Sequence, residues 1–162
     1  MAKALLTLCL TTLLLSGCGY QLKGQFQFAE GLSPLVWQAD VEADELYQAV
    51  RETFSLYGLV VGTAPADTLL RIHDLRASEV SLSEVTLAVL EVEWSLINAY
   101  GVTLIDRRQT RSESRLSLSP EVDEDAKRLE RQVFLRNRIA LRILDQLEAL
   151  SDAELERQPG RP

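Results

Sequence analysis

Cys18 carries the most definite chemistry in the sequence. It follows Leu15-Ser16-Gly17 at the end of an apolar run. A thiol behind small residues is open to the enzyme that attaches diacylglycerol, and the same small residues admit a signal peptidase. The cut then makes the lipidated cysteine the first residue of the mature chain. Upstream, Met1-Ala2-Lys3 supplies a positive start, and Ala4 to Leu15 contains no charge. This is the layout of a secretory signal peptide, and it is shorter than the ~20 apolar residues that span a bilayer. Residues 1–17 therefore read as a removed leader. Cys18 reads as a lipid anchor bearing diacylglycerol and an N-acyl chain. Of the two cysteines, Cys9 lies in the leader, so the mature chain has no partner thiol for a disulfide. Gly19 stands where an aspartate would often retain a lipoprotein in the inner membrane, which favours the outer membrane.

A second constellation is the set Arg107, Arg108, Arg111 and Arg115. On a strand, Arg107, Arg111 and Arg115 project to one face. Guanidinium forks bind phosphate bidentately, so this row suits an anionic ligand. With Asp106 and Glu113 interspersed, it equally suits an edge strand kept soluble by charge.

The remaining candidates point away from catalysis. His73 is the one histidine, set between Ile72 and Asp74 on a predicted strand, and it reads as structural. A serine nucleophile needs a base held by a third group, and no motif surrounds His73 to suggest one. Glu91/Glu93 and the run Asp123-Glu124-Asp125 read as solvated faces rather than acid–base pairs. Several His or Cys ligands would be needed for zinc, and nucleotide-binding glycine motifs are absent. Neither an enzyme nor a resident cofactor or metal is expected.

Charge narrows the partners further. Without the leader, 16 basic and 24 acidic side chains remain, a net charge of −8. Nucleic-acid binding calls for a basic footprint, so that class is set aside.

Period changes along the chain supply the scaffold. Residues 18–32 read as an extended arm leading from the anchor. Leu35, Trp37, Ala39 and Val41 alternate as in a strand with one buried face. Leu46, Ala49, Val50, Thr53, Phe54 and Tyr57 fall on one face of a helix from about Ala43 to Tyr57, with Gly58 placed to end it. Leu59 to Val61 offers a short strand. The apolar phase then shifts between Ile72 and Leu75, predicting a bulge near Asp74. Thr86, Ala88, Leu90, Val92, Trp94 and Leu96 define the clearest strand. Asn98 to Gly101 signals a turn, and Val102 to Leu118 reads as a long polar return strand. Ser119-Pro120-Glu121 opens a second helix, whose stripe runs through Val122, Ala126, Leu129, Val133, Ala140, Leu144 and Leu147. The body is placed at 33–150, and 151–162 reads as a disordered tail. The expected fold is α+β: a two-layer sandwich of two amphipathic helices on a mostly antiparallel sheet with long hairpin strands.

Cys18-Gly19-Tyr20-Gln21-Leu22-Lys23 resembles the Cys-Gly-aromatic-x-Leu-Lys/Arg opening of LptE, the lipopolysaccharide-assembly lipoprotein also called rare lipoprotein B. The order of elements extends the likeness over residues 18–150. The resemblance implies an outer-membrane protein acting as plug and assembly partner of the LptD β-barrel during lipopolysaccharide transport. It also implies contact with lipopolysaccharide through basic residues, for which Arg107, Arg108, Arg111 and Arg115 are the nearest candidates. The alternative is an auxiliary periplasmic lipoprotein of a lipid or solute ABC transporter.

Overall fold

The computed structural model describes residues 26–63, 68–82, 85–117 and 124–159. The leader, Cys18 and the opening motif lie outside them. In chain order the elements are β1 (Leu35–Ala39), α1 (Asp44–Leu56), β2 (Val61–Gly62), β3 (Thr68–Leu82), β4 (Val85–Ile97), β5 (Thr103–Ser117), α2 (Glu124–Glu148) and α3 (Asp152–Leu155). One five-stranded sheet takes the order β2-β1-β3-β4-β5. β1 pairs in parallel with both β2 and β3, whereas β3–β4 and β4–β5 are antiparallel. The expected α+β sandwich is thus the observed one, with α1 as the crossover between two parallel strands.

Helix α1 forms where the sequence changes period. Leu46, Ala49, Val50, Thr53 and Phe54 are its buried residues, and Asp44 and Glu45 sit in its first turn, where negative charge suits the helix dipole. It ends through Gly58, at φ +84°. The Gly58 N–H donates to the Ser55 carbonyl at 3.2 Å and the Leu59 N–H to the Phe54 carbonyl at 3.0 Å. This is the Schellman pattern, which requires a left-handed residue at that point.

The sheet has two unlike faces. Ala88, Leu90, Val92, Trp94 and Leu96 on β4 are buried, with Leu70 and Ile72 of β3 beside them. Against this inner face pack Leu46, Val50 and Phe54 of α1 and Leu135, Ile139, Ile143, Leu144 and Leu147 of α2. Trp94 is fully buried, and its Nε1–H donates to Thr110 Oγ1 at 2.9 Å. Among the described residues no helix covers the outer face, which carries Arg71, Arg76, Glu91, Glu93 and Arg111 among the register partners.

Three sequence expectations need correction. The arm joins the body before residue 33: Phe26 and Phe28 stack on each other, Phe26 meets Tyr57 edge-on with centroids 4.6 Å apart, and Leu32 is fully buried. The segment from Ser151 is not a disordered tail throughout. It forms α3, started by the Glu154 carboxylate accepting from the Ser151 N–H at 2.9 Å, and Leu155 is buried at 7% exposure. The Asn98 side-chain amide donates to the carbonyls of Leu155 and Arg157 at 2.9 and 2.8 Å. Charge content misled the sequence reading because one apolar residue and two captured carbonyls suffice to dock so short a segment. Finally, the apolar stripe of α2 is buried only from Leu135 onward, and Leu129 and Val133 stay exposed. Val122 lies outside the described residues.

Two substitutions test this packing. Trp94→Ala should lower unfolding free energy by about 3–5 kcal/mol, as for other fully buried aromatic truncations. Asn98→Ala should cost about 1–3 kcal/mol by stripping bonds from buried polar groups. Urea titration followed by circular dichroism measures both.

Candidate functional site

The outer face concentrates the charged side chains that sequence reading singled out. The register of β4 has three irregularities, two of them near its centre and a third between Leu96 and Ile97. On β3, Ile72 pairs with Trp94 but Asp74 pairs with Glu93, so His73 is an extra residue. On β5, Trp94 pairs with Arg108 but Leu96 pairs with Ile105, so Asp106 and Arg107 together oppose Ser95. The β5 bulge thus lies opposite Ser95, and the β3 bulge lies one residue away, between the partners of Trp94 and Glu93. Arg107 takes φ +39°, a left-handed value that costs a side-chain-bearing residue energy and suits a bulge position.

Side chains hold this arrangement. The Arg107 N–H, turned out of the strand ladder, donates to Ser95 Oγ at 2.9 Å. His73 Nε2 lies 2.8 Å from the same oxygen, and His73 Nδ1 lies 3.2 Å from Asp40 Oδ2. Asp40 also accepts a fork from Arg71, whose Nε and Nη2 donate at 3.0 Å. An ionised Asp40 accepts only, so Nδ1 carries the hydrogen facing it, which leaves Nε2 of a neutral ring to accept from the Ser95 hydroxyl. The Arg71 hydrogen bonds, followed by that from His73, hold the Asp40 carboxyl below its ordinary value of 3.8.

Ser95, His73 and Asp40 thus share the connectivity of a serine-hydrolase triad, although no sequence motif marks them. The surroundings do not suit that chemistry. Ser95 is only 3% exposed, and the one backbone N–H at its oxygen is aimed at Oγ itself rather than at a developing oxyanion. Its position between two bulges suits a staple that fixes the strands. Sequence reading placed His73 as structural but missed Asp40 and Ser95 as its partners. The phase shift at Ile72–Leu75 was the available signal, because a bulge leaves a backbone group that a nearby side chain must satisfy.

The arginines divide between the faces. Arg107 and Arg111 lie outward with Arg115, while Arg108 pairs with Trp94 and so takes the inner-face parity. Arg107 Nη1 bonds Glu93 at 2.6 Å, and Arg111 meets Glu91 at 3.5 Å and Glu113 at 3.3 Å. Arg115 opposes Leu87 and has no ionic partner among the described residues. With Arg76–Asp74 at 2.6 Å, the outer face is a mosaic of compensated charge, not a bare cationic row. Glu91 and Glu93, read as solvated acids, are half of that mosaic. Asp123 lies outside the described residues.

On the inner face, two adjoining hollows of about 290 and 310 Å³ share Ala77, Leu90 and Arg136. They open where α1 begins and α2 continues alone over the long strands. Their lining mixes Ala77, Ala88, Leu75 and Leu90 with Glu79, Arg128 and Gln132, and Arg136 reaches Glu45 across the rim. No cluster of metal-ligating side chains occurs among the described residues, and no helix there is long and apolar enough to cross a membrane.

Comparison with solved structures places this architecture among bacterial lipoproteins. A minor lipoprotein from Acinetobacter baumannii superposes with a TM-score of 0.61 at 15% identity, over 72% of this chain and 91% of that one. The particular fold is that of rare lipoprotein B. The protein of that name from Shewanella oneidensis gives 0.58 at 18% identity, over 70% and 92% of the two chains. An uncharacterized lipoprotein B from Nitrosomonas europaea gives 0.57 at 17% identity, over 81% and 91%. No family model and no curated protein sequence matches the chain.

Ser95→Ala should cost about 1–3 kcal/mol, since it strands the Arg107 N–H and the His73 ring nitrogen in a buried setting. The depressed Asp40 value gives a sign for pH dependence. A carboxylate favoured in the folded state stabilises fully above its unfolded value, and that contribution fades as pH falls through the folded value. Asp40→Asn should therefore be less stable than the native chain at neutral pH and should lose less on acidification from about pH 5 to about pH 3. Denaturant midpoints across that range provide the check.

Proposed function

We propose that this protein is an outer-membrane lipoprotein that acts as plug and assembly partner of an LptD β-barrel in lipopolysaccharide transport. The observation that carries this reading is the rare lipoprotein B fold in a chain whose N-terminus presents the Leu-Ser-Gly-Cys sequence at residues 15–18. The open outer face supports it physically. Barrel lumens are polar, and a charge-compensated sheet face can enter one without burying a large uncompensated field. In this reading Arg107, Arg111 and Arg115 meet polar groups of the barrel wall or lipopolysaccharide phosphates. Arg108 does so from the opposite side of β5. Cys18 carries the covalent lipid that holds the protein at the membrane, and the protein has no catalytic step of its own.

The test is affinity purification from gently solubilised envelopes of the native host, with the tag placed beyond Pro162 because residues up to Arg157 are docked. An LptD-type barrel should co-purify in near-equal amount. Recovery of an inner-membrane transporter in its place would overturn the plug reading and favour an auxiliary transporter lipoprotein. Cys18→Ala should abolish palmitate incorporation and leave the chain uncut, longer by the 17 residues of the leader on a gel. Labelling of Ser95 by a fluorophosphonate probe would contradict the non-catalytic assignment.

A further inference from the structure

An uncharged pole lies where the arm from the anchor joins the body. Leu56 closes α1 at 81% exposure, and Val60 leads into β2 at 60%. Leu56 falls off the buried stripe of Leu46, Val50 and Phe54, and Val60 faces outward between the buried Leu59 and Val61. Residues 53–66 contain no charged side chain, and neither do residues 24–29. Charged residues make up 25% of the sequence, so a pole without them is a distinct surface.

This pole is held in shape by the body. Phe28 stacks on Phe26 with centroids 5.7 Å apart, and Phe26 meets Tyr57, the neighbour of Leu56, edge-on. The Val60 N–H donates to Ser33 Oγ at 3.1 Å, and its carbonyl accepts from the Leu35 N–H at 2.8 Å. β2 is an edge strand of the sheet, which leaves Val60 open on its outer side. Eight peptide steps separate Cys18 from Phe26, a span of at most ~29 Å when fully extended.

We propose that Leu56 and Val60, backed by Phe26 and Phe28, seat in the interface of the bilayer that holds the Cys18 lipid. The inference rests on the anchor reading of Cys18, goes beyond the plug reading and requires no barrel. The tether selects this occupant. A short link makes the second contact intramolecular, at an effective concentration on the order of millimolar, so a small apolar patch suffices. A stable protein interface takes about 800 Å² and about 20–30 residues from each partner, and two exposed aliphatic side chains fall short of that. Apolar burial drives the contact. Glu52, one turn before Leu56, and Glu30, two residues past Phe28, are its charged flanks. Both are acidic, so the pole favours a zwitterionic surface over an anionic one.

The test uses the full chain processed by its host, purified in detergent and reconstituted into phosphatidylcholine vesicles that carry a nitroxide-labelled lipid. Leu56→Cys and Ser81→Cys are each labelled with the same apolar fluorophore, which stands in for the leucine at position 56. Ser81 lies near the other end of the molecule, at the tip of β3. If Cys18 is lipidated the parent chain takes no label. A labelled parent reports failure of the anchor reading, and the inference falls with it. With an unlabelled parent, the expected result is strong quenching at position 56 and little at position 81. Val60→Glu in the Leu56→Cys background should lower the ratio of docked to free molecules roughly tenfold, as expected for withdrawing one valine from an apolar contact. Circular dichroism verifies the fold of each variant, and Val60→Ser replaces Val60→Glu if the charge disturbs it. Exchanging half of the phosphatidylcholine for phosphatidylglycerol should not strengthen the quenching. No quenching at position 56, equal quenching at both positions, or quenching that requires phosphatidylglycerol would each overturn the proposal with the anchor intact.

Discussion

A mismatch of lengths between the two layers governs this structure. Strands of 15, 13 and 15 residues form the antiparallel part of the sheet, and at ~3.3 Å per residue the longest approach 50 Å. Helix α1 has 13 residues, which at ~1.5 Å each cover about 20 Å. The inner face must still be shielded from water, so α2, with 25 residues, runs on past α1 by itself. One helix cannot roof a three-strand ribbon. The hollows around Leu90 open at the start of α1, and the exposed Leu129 and Val133 lie past it, where α2 runs alone.

The bulges act as the second organising device. A long two-faced ribbon accumulates twist, and extra residues at His73 and near Arg107 increase it locally. Placing both beside Ser95 lets one hydroxyl satisfy groups from two neighbouring strands. Asp40, just beyond β1, joins the same network through Arg71 and His73. Parallel and antiparallel parts of the sheet are thereby tied together on the solvent side, while Trp94 and its neighbours fix them from within. Burial and polar bonding act on opposite faces of the same residues, which is why the strand register is well determined.

Much of this was legible in the sequence, because the governing patterns are local. The period change at Leu46, Gly58 at the end of α1, the alternation along β4 and the phase slip at His73 each state a physical requirement in a few residues. What escaped was non-local. Leu129 and Val133 continue a helical stripe faithfully, and nothing in the stripe says that its covering helix stops short. The β5 arginines read as a cationic row until Glu91 and Glu93 of the neighbouring strand are set against them. Their partners lie 20 and 14 residues earlier, a separation that no periodicity reveals. No motif marks Ser95, whose network draws on two other strands and the segment after β1, and α3 was hidden in charged sequence.

The docking of α3 bears on the order in which the molecule can be completed. A polypeptide leaves the ribosome N-terminus first, and Leu155 emerges 57 residues after Asn98, whose side chain binds its carbonyl. Until then Asn98, which also accepts from the Tyr100 and Val102 amides, holds the β4–β5 turn in shape but keeps its donor amide unspent. The strands can pair and α2 can settle before this contact exists, yet the base of the core beside Leu155 stays open to water. Closure of this end of the core therefore waits for residues 151–157. Until they dock, the chain has a wet seam at the end of the sheet, where apolar surface stays exposed longest.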